Sequence, residues 1–541
     1  MRKISTLFCA VLMSLSALAT DYTGNLTVSV NGEGSTQPAT ITITENAGKY
    51  ELSIKNFTLV SGDGSVPVGN IVLDNVSGAT DGALTTLYTN KNITITAGDA
   101  EGVAADAWMG PKLGEVPVKM ASAFTTEGYL GVNIDIDMTS TLGQVIKVAF
   151  ENVGNHFQMP NSDFESWSDK NKAPRHWHGF ESVKGGWSFM VKSDDRLQAS
   201  SLVHDKANGT HSAVVTSKKV ATIVANGTIT NGVLNASSIS ATDAGNHSET
   251  DLASTDVDAN GDPFATPIYA KPDAVKFWAR FKQAKSQADY PYASFKAIIT
   301  DGTYYQDPEG DTDYTNKVAV AVPDQEKMKE GDWREVVCKF NYDAYSANNA
   351  EAKAILMTFS TNATPGKGSY ESENLGSFFK PNYVYHADSL FIDDVELVYA
   401  AGIKSVSFKG QTLDLTAVQT AGINLAAGEE ATAADFVVEK DGQDAKVTTL
   451  VEATESGYEA VITVVSADLK TVDTCVIKLN KPATPALKGD VNGDGVVDVA
   501  DVTVLIDKVL NSADTDQAAD VNADGTVDVA DVTALINIIL G

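Results

Sequence analysis

Cysteine is almost missing from this chain. There are three in 541 residues, at positions 9, 338 and 475. Cys9 falls in an apolar leader, and Cys338 and Cys475 fall in different expected domains. No disulfide is therefore expected, and stability must come from apolar cores and bound metal. Basic residues are scarce too: 40 Lys and Arg stand against 71 Asp and Glu, for a formal net charge of −31. Such a surface repels phosphates, which argues against a nucleic-acid partner. After the leader, no apolar run approaches the roughly 20 residues of a membrane-spanning helix, so no transmembrane segment is expected in the mature chain. No serine-hydrolase or phosphate-binding signature is present.

What is present begins with "MRKISTLFCAVLMSLSALAT". Arg2 and Lys3 precede an apolar run, and Ala17-Leu18-Ala19 is a small-residue cleavage signal. Residues 1–19 are read as a signal peptide, cut near Ala19, so the chain is expected to be secreted, extracellular or on the cell surface. The remaining length fits three to five domains at about 100–200 residues each.

Residues 20–153 alternate apolar and polar positions over short runs split by Gly, Asn and Asp. "NLTVSV" puts Leu26, Val28 and Val30 on one face, "ATITIT" puts Ile41 and Ile43, and "YLGVNIDIDM" puts Leu130, Val132, Ile134, Ile136 and Met138. Period-2 alternation of this kind means half-buried antiparallel strands, closed as a barrel or sandwich. "YTGNLTVSVNG", "YELSIKNFTL", "VGNIVL" and "LGVNIDIDM" together resemble the calycin-like β-barrel domain of secreted Bacteroidetes proteins. The resemblance implies a β-barrel, either holding a ligand in its mouth or, filled, used as a spacer or attachment module.

Residues 155–400 carry strand candidates such as "AVKFWARF", "ASFKAIIT", "WREVVCKF" and "AILMTFST", separated by long Gly/Asn/Asp/Ser-rich loops. A jelly-roll β-sandwich is expected. "NSDFESW", "HWHGF", "GDPFATPIYAKPDAVKFWARF" and "LFIDDVELVY" resemble the carbohydrate-metabolism domain of Bacteroidetes and, more broadly, β-sandwich carbohydrate-binding modules. Residues 401–481 offer five or more short strands and are read as a small immunoglobulin-like β-sandwich spacer. Residues 482–487, with Pro482 and Pro485, form a linker. The fold class is thus mainly β and multidomain, ending in one small α region at 488–541.

That last region repeats itself. "GDVNGDGVVDVADVTVLIDKVL" returns as "ADVNADGTVDVADVTALINIIL", thirty residues on. Asp490, Asn492, Asp494, Asp498 and Asp501 occupy positions 1, 3, 5, 9 and 12 of a twelve-residue loop. Gly495 holds the turn, and Val496 supplies a backbone carbonyl at position 7. Asp520, Asn522, Asp524, Thr526 (by its carbonyl), Asp528 and Asp531 repeat the set. This is the oxygen-ligand spacing of an EF-hand-type Ca2+ loop. Position 12 is Asp rather than Glu, and no helix enters the first loop. Only the exiting helix exists, with Val502, Leu505, Ile506 and Val509 expected on its apolar face. A loop and exiting helix, written twice, resembles a type I dockerin. The resemblance implies two Ca2+ ions and a cohesin-like protein partner. It assigns partner choice to positions 10 and 11: Val499, Ala500, Val529 and Ala530. Where that family often has a hydroxyl residue, both copies here have Val-Ala.

In the middle domain, Trp167, Trp177 and Trp187 lie close in sequence, with His176 and His178 flanking Trp177. Aromatic planes stack on the C–H faces of sugars, so Trp167, Trp177, His178 and Trp187 are read as a carbohydrate-binding platform. Trp278 and Trp333 are read as core. The resemblance to carbohydrate modules carries a structural Ca2+ site onto Glu165 and Asp394. "DVDANGDPF" imitates a Ca2+ loop but has Phe264 and Pro267 at positions 9 and 12, and is rejected. No carboxylate pair is marked out for glycoside hydrolysis, and no catalytic residue is assigned. The sequence therefore reads as an exported, calcium-binding, modular protein. It binds a polysaccharide or glycan and docks to a partner, in polysaccharide utilisation. The rival readings are a glycoside hydrolase with its active site in 155–400, and a non-catalytic adhesion or structural protein.

Overall fold

The computed structural model describes residues 18–61, 64–170, 172–207, 209–220, 222–374, 383–426, 428–481, 487–511 and 518–541. Most of the expected signal peptide and the linker prolines lie outside the described residues. Residues 1–413, 436–450 and 461–475 make one compact unit, and 414–435, 451–460 and 476–541 a second.

The chain opens with eight antiparallel strands: β1 (Leu18–Val30), β2 (Glu33–Asn46), β3 (Lys49–Ser61), β4 (Gly64–Asp81), β5 (Leu84–Thr94), β6 (Glu115–Thr125), β7 (Leu130–Met138) and β8 (Gln144–Glu151). Each pairs with the next, and β1 pairs with β8 from Asn25↔Glu151 to Val30↔Ile146, closing a barrel. Asn31-Gly32 turns β1 into β2 with both residues at positive φ (52° and 94°), the conformation a two-residue hairpin demands. Alternation sends Leu26, Ile41, Ile43, Leu52, Ile54, Val132, Ile134 and Phe150 inward, where none is more than 6% exposed. Leu73, Leu87 and Met120 join the same cluster, so the barrel interior is a packed core. β2 and β3 pair only from Thr42↔Ser53 to Asn46↔Lys49. Beyond that the Gln37 amide stands in for the ladder: its NH2 donates to the Thr58 carbonyl (2.7 Å) and its oxygen accepts from the Val60 N–H (2.8 Å).

The second fold element is a sandwich. One sheet runs in the order 334–339, 274–282, 389–398, 212–216, 197–200; the other runs 228–230, 354–360, 294–300, 317–321. Both contribute to one apolar cluster. At its centre Phe277, Phe295 and Phe359 meet pairwise with ring centroids 4.4–5.0 Å apart. The strand Ala274–Lys282 points Val275, Phe277, Ala279 and Phe281 inward. Trp278 therefore faces out, and the core position expected for it is wrong by one strand residue. It stacks on His204 at 4.2 Å, with Trp333 packed edge-on to the same imidazole at 5.9 Å. Trp333 too lies on this outer face rather than in the core.

Barrel, sandwich and part of the following β region are in contact. Leu84, Ala123 and Val153 share an apolar cluster with Val465 and Leu469. The Leu469 carbonyl lies where a Cβ on Gly131 of β7 would stand, at 2.0 Å. Residues 402–480 form sheets of three and four strands. A short helix, Leu415–Ala421, was not expected; the Asp414 side chain caps it by accepting the Ala417 N–H. Cys338 and Cys475 are buried and free. Among the described residues no helix is long and apolar enough to cross a membrane.

Candidate functional site

The tail is two copies of one local structure. In the first loop, Asp490 accepts the N–H groups of Gly493 (2.8 Å), Asp494 (3.1 Å) and Gly495 (2.9 Å). Asp501 accepts those of Asn492 (3.0 Å) and Asp498 (2.9 Å). In the second loop, Asp520 accepts from Asp524 (3.0 Å) and Gly525 (2.9 Å). Asp531 there accepts from Asn522 (2.9 Å) and Asp528 (2.9 Å). Asn492 and Asn522 each bridge to the aspartate two residues on, at 2.8 Å. Val496 and Thr526 give their N–H groups to Asp494 and Asp524, leaving their carbonyls available. Gly495 and Gly525 sit at φ +87° and +88°, where the turn needs a left-handed residue. The first loop also has Gly493 at φ +76°; the second forces Ala523 to +62°.

Asp501 and Asp531 are fully buried at the start of their helices. Burial alone would raise the Asp501 pKa, but the N–H donors of Asn492 and Asp498 outweigh it and hold the carboxyl below its ordinary value. The donors at the two loops are all oxygen, with carboxylates predominant, which fits a hard cation such as Ca2+. The side chains of the loops are not drawn together as tightly as one other group: His204, Asp393 and Asp394 have ligand-type atoms within 4.8 Å of one another.

The exiting helices are Val499–Asn511 and Val529–Leu540. Asp528 and Asp531 form a capping box at the second, the arrangement that satisfies its first free N–H groups. Leu505, Leu535, Val491, Val521 and Ala519 are the buried core between the copies. Val502 and Val509 pack against it. Ile506, expected on the inner face, is 42% exposed, as is its repeat Ile536 at 40%. Val499 and Val529 are each 70% exposed, Leu510 and Leu540 75% and 79%, and Ala500 and Ala530 are exposed beside them. The tail thus presents the same apolar surface twice.

In the sandwich the expected platform does not form as one surface. Trp177 is fully buried in the core, its indole N–H donating to the Pro160 carbonyl at 3.1 Å. His178 is fully buried too, its Nε2 3.2 Å from the Pro263 carbonyl, and burial pushes its pKa down. Neither reaches a glycan: their segment runs beneath the sheet, with His178 bridging Thr230. Trp167 is half-buried against the same core. Trp187 alone is open, 38% exposed and stacked on Phe189, which is 74% exposed. Glu165 and Asp394 take different hydrogen-bond partners, while Glu165 lies near enough to the adjoining Asp393 for its charge to help raise that pKa. Glu165 accepts the N–H groups of Thr210 and His211 (2.7 and 2.6 Å). Asp394 lies 2.9 Å from His204 Nε2.

Three features escaped the sequence. Asp393, beside Asp394, is 2% exposed, its Oδ2 has no hydrogen-bond partner, and burial together with the neighbouring Asp394 charge pushes its pKa up to about 7. His204 receives the Lys206 N–H on Nδ1 at 3.2 Å. Its proton therefore sits on Nε2, facing Asp394, and that nitrogen offers no lone pair to a metal. The third is an open cleft of about 620 Å³. Arg175, His176 and Tyr269 line it, with Asn155 and His156. Arg175 is held from behind by Asp262: Nε and Nη2 each donate to the carboxylate at 2.6 Å, and the pair pulls the Asp262 pKa down to about 2.

The resemblances to known proteins follow the two ends of the chain. Residues 18–153 match the calycin-like beta-barrel domain, and residues 488–540 match the dockerin type I domain. A comparison with curated proteins finds no match. Among solved structures, a Bacteroides fragilis protein described as an outer membrane protein matches 63% of this chain and 96% of its own, at 10% identity and a TM-score of 0.17. That TM-score is too low to support any inference about fold. Dockerin type I domains bind calcium and a cohesin-type protein, and proteins that carry them are typically extracellular or at the cell surface. With a closed eight-stranded barrel at one end and paired acidic loop–helix repeats at the other, this is a multidomain protein with a calycin-like β-barrel domain and a C-terminal dockerin type I domain.

Proposed function

We propose that the chain is a calcium-dependent docking protein that holds a glycan-binding sandwich at a partner's surface. One Ca2+ would sit in each tail loop. Asp490, Asn492, Asp494, Asp498, Asp501 and the Val496 carbonyl would hold the first. Asp520, Asn522, Asp524, Asp528, Asp531 and the Thr526 carbonyl would hold the second. Bound Ca2+ would neutralise carboxylates that otherwise repel and would fix each helix start. The observation that carries the docking part is the 30-residue repetition: every side-chain ligand position of the first loop recurs in the second, and the exposed Val499-Ala500 is matched by Val529-Ala530. Either face then suffices for a cohesin-type partner, in two orientations. Calcium calorimetry on the full chain tests the first half, with two sites expected. Cohesin pull-down tests the second: Val499→Asp or Val529→Asp alone should leave binding in place, and both together should abolish it. Loss after one substitution would overturn the symmetric reading.

Glycan binding in the sandwich is supported by two surfaces with exposed aromatic rings, Trp187 with Phe189 and the cleft that holds Tyr269. Tethering by the tail would raise the local concentration of that site at the partner's surface. Retention on immobilised polysaccharides, read together with new reducing ends, tests it. Retention without new ends is expected, and new ends would make the sandwich a hydrolase. Export by cleavage near Ala19 completes the proposal; the N-terminus of the secreted protein checks it.

A further inference from the structure

Resting on the glycan reading above, we infer that the cleft beside Tyr269 binds a carboxylated sugar, a uronate or similar acidic residue. Charge is the first observation. The chain carries 71 acidic residues against 40 basic ones. Yet among the described residues that line this cleft none is Asp or Glu, while Arg175, His176 and His156 belong to the lining. In a protein that otherwise repels anions, this is a local place for one.

The cationic wall is built, not incidental. Asp262 is 2% exposed and lies behind Arg175, so the guanidinium is fixed by two hydrogen bonds with 40% of the side chain still exposed. Its Nη1 takes no part in that pair, which leaves donor N–H groups for a ligand. His176 is set next to it at φ +65°, a left-handed conformation uncommon for a non-glycine, pinned by its own N–H donating to Asp262 at 3.0 Å. Such residues concentrate at binding sites. Asp262 offsets the Arg175 charge and lies 3.8 Å from His176 Nδ1, so the turn offers the free guanidinium N–H groups and the imidazole side by side as directed hydrogen-bonding groups.

The same lining carries an aromatic ring. Tyr269 is 60% exposed. It is held by stacking on His156 at 4.2 Å and 16°, and His156 stacks in turn on Tyr129 at 5.1 Å and 28°. A preordered ring with one open face is what a pyranose needs for C–H stacking. The cleft volume, about 620 Å³, lies within the range of small-ligand sites. Hydrolysis of a glycosidic bond needs two carboxyl groups across the scissile linkage. Among the described residues the lining has no carboxyl group, so the cleft lacks the pair that glycoside hydrolysis ordinarily uses.

The test uses the full chain with calcium present. Binding of trigalacturonate, a glucuronate disaccharide and sialyllactose is measured by calorimetry, against fully methyl-esterified trigalacturonate as the uncharged control. At least one acid should bind, about tenfold or more tighter than the ester, with affinity falling as salt rises. Tyr269→Ala, a surface change that leaves the fold intact, should weaken it about tenfold. Val322→Ala, at an exposed residue outside both aromatic surfaces, should leave it unchanged. Equal binding of acid and ester overturns the charge inference while the glycan reading stands. Loss with Trp187→Ala but not with Tyr269→Ala moves the site elsewhere and overturns it. Silence toward all three acids overturns it as well. If neutral polysaccharides are still retained, the glycan reading survives; if nothing is retained, both fail.

Discussion

In the middle sandwich, a buried carboxylate has an answer on the spot. Asp262 sits against Arg175, and Asp393, with no cation, has its pKa pushed up to about 7. In the tail, eight aspartates crowd two twelve-residue loops that contain no Lys or Arg at all. The sandwich rests on a large apolar core with an aromatic centre. The tail buries five apolar residues between its copies. A core that small does not hold a fold by itself, and carboxylates crowded together oppose one. The comparison teaches that charge supports structure in two ways here: by pairing inside the chain, and by waiting for a cation from outside.

The largest effect should come from breaking the tail's way. Replacing Asp501 and Asp531 together with Ala should remove calcium binding and both helices, read by calorimetry and circular dichroism. Either change alone should remove one site and lower total helix by about half. Breaking the sandwich's way is the next largest. Trp177→Ala should destabilise that domain by about 3–5 kcal/mol in denaturant melts, with the tail's calcium response unchanged.

Acid separates the two regions. The Asp262 pKa is lowered to about 2 by Arg175. Its contribution is therefore complete above the ordinary carboxylate range near 4, and is lost as pH falls toward about 2. Ca2+ binding in the tail needs its loop carboxylates deprotonated, so acid should release the ions and the helix signal together, followed beside tryptophan fluorescence on one sample. Asp262→Asn should flatten the sandwich's response between pH 4 and 2. The smallest effect concerns the difference between the copies. Ala523→Gly should relieve the left-handed alanine and stabilise the second loop by about 0.5–1 kcal/mol, seen as slightly tighter calcium binding at one site.

What could be read from sequence divides along the same line. The barrel strands follow from a period of two, a property of neighbouring residues, so Leu26, Ile41, Leu52 and Ile134 are found inside as the pattern requires. The tail loops follow from ligand spacing within twelve residues. Only Ile506 departs, because the second copy's packing leaves it at the rim. The sandwich is different. Whether Trp177 is buried or open depends on which sheet its loop crosses, and nothing local fixes that. Trp278 was misassigned although its strand alternates: it shares the outer face with Lys276, Arg280 and Lys282, where size and hydrophobicity alone mislead. The cleft joins Asn155, Arg175 and Tyr269, and His204 meets Asp394 190 positions later in the chain. One signal was present and passed over: Tyr269 lies between Pro267 and Pro272, an exposed aromatic in a stiff, turn-rich segment.

The most direct measurement is hydrogen exchange of the full chain, read segment by segment, before and after calcium is chelated. Chelation should strip protection from residues 488–541, calcium should restore it, and the strands of the sandwich and barrel should not change. Protection in the tail that survives without calcium would contradict the account, because its aspartates would then be reconciled by something other than a bound cation.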